Sequence, residues 1–153
     1  MTVLQSATAD RVPSNYGMIW VGAPGAPGDP GSPEPQTLAY VSESLPSLVV
    51  LNVVSDLFPC DLTVEEADAE PEGQPVATIP VTDSGPIVVA SPTGGEVYRL
   101  PVVLAPGSYR VWVEVEGRDT ARELEQAWDY DTDEGPDARP TAERWWLTYV
   151  REK

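Results

Sequence analysis

Over residues 108–117 the chain reads SYRVWVEVEG, and its side chains alternate: Tyr109, Val111, Val113 and Val115 fall on one face, and Ser108, Arg110, Trp112, Glu114 and Glu116 on the other. A period of two is that of a half-buried strand, because successive Cβ atoms of a pleated backbone point to opposite sides. Shorter segments of similar character occupy residues 16–21 (YGMIWV), 38–42, 62–66, 76–81 (VATIPV), 85–90 (GPIVVA), 97–104 (VYRLPVVL) and 141–150 (TAERWWLTYV). In the last of these, Trp145 and Trp146 must point to opposite faces if the backbone is extended. Residues 47–54, SLVVLNVV, are almost continuously apolar, as expected of a strand buried on both sides.

Punctuation between these segments suggests how they connect. Thr82-Asp83-Ser84 predicts a turn that would pair its two flanking strands as a hairpin. Ala105-Pro106-Gly107 predicts a chain reversal, and Pro101 marks the preceding strand as an edge or the site of a bulge. One helix is expected, over residues 118–128, with Asp119 or Thr120 as cap and Glu123 near the capping-box distance. Eight or nine short strands with one brief helix predict an all-β fold, an antiparallel β-sandwich.

The expected organisation is an N-terminal arm over residues 1–15, flexible, followed by a single sandwich domain over residues 16–153. A Gly/Pro-rich loop interrupts it at residues 22–36. Its four Gly-X-Pro triplets, over residues 22–33, are too few for a collagen triple helix and read as a stiff polyproline-like connector. Residues 92–95, Pro-Thr-Gly-Gly, read as a turn rather than a phosphate-binding loop.

Charge changes the picture most. Twenty-five acidic residues stand against nine basic ones, a formal net charge of −16, with no histidine and one cysteine. A folded chain of this mass exposes only about 7,500 Å² on which to spread that charge. Such a surface repels nucleic acid and anionic membranes and attracts cationic proteins. The missing histidine removes the usual general base and the commonest metal ligand, so serine nucleophiles lack a partner and a Cys/His metal cluster cannot form. Catalysis, cofactors and metal are therefore not expected. Cys60 can form no intrachain disulfide and reads as an inert, buried thiol. The first residues, MTVLQSATADRVPS, lack the basic start and apolar run of a signal peptide, and no apolar stretch is long enough to span a bilayer. Cytoplasmic residence is the expectation.

The acidic residues gather in two blocks. Asp61, Glu65, Glu66, Asp68, Glu70 and Glu72 form the first; Glu123, Glu125, Asp129, Asp131, Asp133, Glu134 and Asp137 form the second, with Trp128 and Tyr130 inside it. Like charges at this density suggest either a solvated loop or a surface kept for a cationic partner. For the second alternative a nuclease is economical, since its groove must be positive to hold phosphates. The candidate contact set is then Glu123, Glu125, Trp128, Asp129, Tyr130, Asp131, Asp133, Glu134 and Asp137, with Glu65, Glu66 and Asp68 as a secondary surface. DYDTDEG, residues 129–135, begins like a calcium loop but has Glu134 and Pro140 where an EF-hand requires glycine and glutamate. Paired carboxylates alone define no glycosidase.

The aromatic first strand YGMIWV, the proline-rich loop after it, LVVLNVV, the acidic VEEADAEPE, and VATIPVTDSGPIVVAS followed by VYRLPVVLAPGSYRVWVEVEGRD together resemble the competence protein J family, which includes DNA-entry nuclease inhibitors. The likeness spans most of the chain through loose patterning. It implies a small β-sandwich that binds and blocks another protein, in one branch a nuclease, without catalysis. This sequence departs from the family in its Gly-X-Pro loop and its Trp-Trp strand. Two other classes stay open: a carbohydrate- or calcium-binding sandwich module, and a structural or assembly subunit that forms a homo-oligomer.

Overall fold

In the computed structural model of this protein, which describes residues 2–23, 37–42, 44–92 and 97–153, the described residues form ten strands in two sheets. The first sheet takes β1 (Val3–Val12), β5 (Cys60–Ala67), β10 (Glu143–Arg151), β9 (Gly107–Glu116) and β6 (Ala77–Val81), in that spatial order. The second takes β3 (Ala39–Ser42), β4 (Leu45–Asn52), β2 (Met18–Gly22), β7 (Gly85–Ala90) and β8 (Tyr98–Leu104). Their inner faces share one core, in which Ile19, Val21, Val49 and Leu51 meet Leu62, Val64, Val111, Trp145 and Leu147. The Gly/Pro connector expected at 22–36 and the turn at 92–95 lie largely outside the described residues.

The alternation of β9 appears as expected: Tyr109 and Val111 are buried, while Arg110, Glu114 and Glu116 are exposed. Trp112 departs from it. Although it sits on the outer face, it is buried with Ala67 and Val150, and its indole N–H donates to the Gly73 carbonyl at 3.2 Å. The apolar run of β4 is buried on both sides, its outer side against Met18, Tyr40 and the half-buried Trp20. Pro101 lies on β8, an edge strand, where its missing N–H costs no ladder bond.

Four features differ from the sequence expectation. Residues 3–12 are not a loose arm: β1 pairs antiparallel with β5, setting Ala7 opposite Val64 and Ala9 opposite Leu62. The Gln5 side-chain amide then mimics a strand, accepting from the Val103 N–H at 2.8 Å and donating to the Val103 carbonyl at 2.7 Å, which ties the edges of the two sheets together. Alanine carries too little hydrophobicity for that inward face to show in the sequence. Second, β6 and β7 are no hairpin. β6 pairs with β9 and β7 with β2 and β8, so the intervening residues carry the chain between sheets.

Third, β8 and β9 also belong to different sheets, and Ala105-Pro106 makes the crossing. The Tyr109 hydroxyl fixes that corner by donating to the Ala105 carbonyl at 2.8 Å. Fourth, β5 and β10 run parallel, with Leu62 opposite Trp145 and Val64 opposite Leu147, in an otherwise antiparallel sandwich. The expected helix is present as α1 (Arg118–Gln126), but no side chain caps it. Gly117 holds the cap position at φ 87°, and a Cβ there would stand 2.1 Å from the Ala142 carbonyl oxygen, so only glycine fits. Asp119 instead pairs with Arg122 at 2.8 Å.

One core atom supplies a test of packing. The Tyr149 hydroxyl is buried without a hydrogen-bond partner among the described residues, and burial pushes its pKa far up. A buried unpaired hydroxyl costs about 1–3 kcal/mol. Tyr149→Phe should therefore raise unfolding stability by about 1 kcal/mol, seen as a higher denaturant midpoint at unchanged slope; a lower midpoint would reveal a partner for the hydroxyl.

Candidate functional site

Glu123 and Glu125 of the second acidic block lie on α1, and the rest of the block folds after it into a loop with its own supports. Trp128 packs edge-on against Phe58, ring centres 5.3 Å apart, and the Arg139 guanidinium lies 5.9 Å from the Trp128 ring centre. Arg139 also pairs with Asp133, Nη2 to Oδ2 at 2.5 Å. That hydrogen bond, followed by one from the Gly135 N–H, holds the Asp133 carboxyl below the usual carboxylate range. The Asp131 N–H donates to Asp129 Oδ1 at 2.9 Å, closing a short turn over Tyr130–Thr132.

The far limb of the loop is tied to β1. Arg11 Nη2 donates to the carbonyls of Pro136, Asp137 and Arg139 at 3.2, 3.3 and 2.8 Å, while the Arg11 N–H donates to Asp61 at 3.0 Å. Two of the chain's few cations thus serve to build the acidic loop.

This construction sorts the expected contact residues. Glu123, Glu125, Asp129, Asp131, Glu134 and Asp137 are exposed, and none of them has an ion partner among the described residues. Tyr130 is 68% exposed among them. Asp133 is committed to Arg139, and Trp128 is a half-buried support rather than a projecting anchor. Leu124, Trp128, Thr132 and Ala138 line a depression of about 400 Å³ beside the acidic rim.

The first block runs along β5 and past its end, and Asp61 at its start shares Arg11 with the loop of the second block. Glu65 accepts from the Thr148 hydroxyl at 3.0 Å on the outer face. Glu66, at the next position, turns towards the sandwich interior and accepts from Gln5 at 2.7 Å. Asp68 accepts from the Thr2 N–H at 2.7 Å, which lowers its pKa, and Glu70 pairs with Arg110 at 2.7 Å. Glu65 stands five residues along the strand from Cys60, about 17 Å, so Glu65, Glu66 and Asp68 make no single secondary patch with the loop.

Several residues that shape this end carried little signal in the sequence. Phe58, the lone phenylalanine, and Arg11 and Arg139, among so few cations, were the available hints. A further feature is a buried pair: Arg118 Nη1 meets Glu143 Oε1 at 3.0 Å, and Glu143 is 1% exposed. Cys60 lies opposite Glu143 on β5, buried, and burial followed by the charge of Glu143 pushes its thiol pKa far up. Among the described residues no three acidic or cysteine side chains converge as a metal site would require; Asp133 turns away from Asp129 and Asp131 towards Arg139. Among the same residues, no helix is long and apolar enough to cross a membrane.

Two facing five-stranded sheets make this protein an all-β sandwich. Two solved structures share this fold over essentially their whole length. One is ComJ from Bacillus subtilis, described as an inhibitor of the DNA degrading activity of NucA; it matches with a TM-score of 0.56 at 10% identity, over 99% of this chain and 98% of that one. The other is the product of crocagin biosynthetic gene J, with a TM-score of 0.57 at 20% identity over 100% of both chains. No family model matches the chain, and no curated protein matches it. The resemblance to competence protein J is thus a shared fold.

Proposed function

We propose that this protein is a non-enzymatic, inhibitor-like binder, acting in the cytoplasm, whose acidic loop end occupies the cationic site of a protein partner, a nuclease being the first candidate. The observation that carries this reading is the set of six exposed carboxylates without an ion partner among the described residues, Glu123 and Glu125 on α1 and four more on the loop after it with the exposed Tyr130, a loop that spends two arginines on its own support. A surface that must stay in self-repulsion to bind needs such a scaffold, because the free protein bears the electrostatic cost. The shared fold with a nuclease inhibitor supports the same reading. Nuclease grooves are positive wherever they hold phosphates, so this end presents a matching field.

The test is capture from the native host with this protein as bait, followed by titration of any captured nuclease. One-to-one inhibition that weakens steeply with salt is the expected result. Capture of a biosynthetic enzyme instead, with no nuclease inhibited, would favour an accessory role in biosynthesis, the setting named for the second structural neighbour.

A further inference from the structure

A second acidic feature lies on the outer face of the first sheet, away from the loop. Trp146 on β10 is half-buried there, directly opposite Glu114 on β9, and the next pair on that face is Thr148 opposite Trp112. Glu116 follows Glu114 on the same face, and Thr148 donates its hydroxyl to Glu65. Together these side chains line a groove of about 300 Å³. Directly opposed residues in such a ladder hold their Cβ atoms about 5 Å apart and diagonal ones about 7–8 Å. The Trp146 ring is therefore within reach of two carboxylates at once.

The charges of the groove are poorly satisfied from within. Glu114 is exposed and has no ion partner among the described residues. Among the described residues Glu116 meets only Arg144, at 3.9 Å, with both side chains more than half exposed, a pair of little energetic weight. A groove lined by indoles and carboxylates is complementary to a cation on a long apolar stem. A guanidinium fits better than an ammonium, because it stacks flat on an indole while donating to a carboxylate with a two-pronged edge.

We propose that this groove is a subsite for an arginine side chain presented by a basic protein partner. It rests on the reading of the protein as a binder of cationic partners, but places a contact on the sheet face that the acidic loop does not provide. An arginine so held gains cation–π attraction and charge-assisted hydrogen bonds at a partly desolvated site, which gives it specificity that the exposed loop carboxylates lack.

The experiment uses the full chain and a short blocked peptide, Arg-Gly-Arg, titrated at low salt while the tryptophan indole N–H signals are followed by NMR. The Trp146 signal is expected to shift saturably, Glu114→Gln to weaken the peptide about tenfold, and a Lys-Gly-Lys peptide to bind less tightly than the arginine one. Glu114 is exposed, so the variant should fold, and an unchanged denaturation midpoint will verify it. Shifts confined to Trp128 and the acidic loop, or binding indifferent to Glu114→Gln, would overturn the subsite. Loss of the subsite with nuclease inhibition intact removes this inference alone. Intact peptide binding without inhibition of any captured partner removes the inhibitor reading and leaves the groove.

Discussion

Arg118→Met is expected to cost about 3–5 kcal/mol of stability at neutral pH, because it strips the partner from an anion that cannot reach water. Glu143 projects from β10 into the interior, where its two oxygens accept from Arg118 and from the Val54 N–H, each at 3.0 Å. Arg118 in turn donates to the Asn52 carbonyl at 2.7 Å and lies 5.7 Å from the Trp145 ring centre. One ion pair thus joins α1, the end of β4 and β10. Even with its partners, burial dominates and raises the Glu143 pKa, with the Val54 N–H and Arg118 acting in opposition.

The sign of the pH dependence follows. Between the ordinary glutamate value and the raised one, the native state holds a proton that the unfolded chain has released, so the contribution of Glu143 to stability falls as pH rises across that interval. It is fully present below the ordinary value and lost above the raised one. Arg118→Met should push the pKa higher still, so its cost should shrink on acidification. Glu143→Gln should flatten the slope at a milder cost of about 1–2 kcal/mol. Self-repulsion of a chain at −16 gives a slope of the same sign, so the difference between variant and parent is what must be read. Denaturant melts between pH 4.5 and about 8 settle it: an Arg118→Met curve that tracks the parent throughout would show that the pair carries no stability.

The sequence was most informative where alternation is strict and bulky. β9 could be placed with its faces, because valine and tyrosine at period two have only one way to bury; on β10 the sequence set Trp145 and Trp146 on opposite faces but did not say which is inside, and the structure buries Trp145. β1 was lost because its inward residues are alanines, and its strongest tie, the Gln5 amide on Val103, depends on a residue ninety-eight positions away. The false hairpin at residues 82–84 and the unexpected sheet crossing at 105–106 share one cause. A turn signal marks a bend but does not say whether the next strand returns to the same sheet, and residues 82–84 and 105–106 both step across the sandwich. In the site, composition identified the acidic loop but not its internal division. Trp128 and Tyr130 are two residues apart in an aromatic-acidic run, yet only Phe58 and Arg139, distant in sequence, determine that one is a support and the other projects.

That division yields the prediction with the largest functional effect. Replacing Asp129, Asp131, Glu134 and Asp137 together by their amides should weaken partner binding by about 100–1,000-fold at low salt, mostly through slower association, and should flatten the salt dependence. None of these four is paired with a cation among the described residues, so relieving their repulsion should leave stability equal or higher. Tyr130→Ala should cost binding about 2 kcal/mol, or about thirtyfold, as an exposed aromatic among charges does when a partner buries it, again with no loss of stability. Trp128→Ala should behave in the opposite order: it removes the ring wedged between Phe58 and Arg139, so the loop should become susceptible to proteolysis and binding should fall as a consequence. Calorimetry and limited proteolysis on the three variants separate these roles. Equal binding by the amide variant and the parent would move the contact away from the acidic end, and proteolytic resistance retained in Trp128→Ala would deny the loop its stated support.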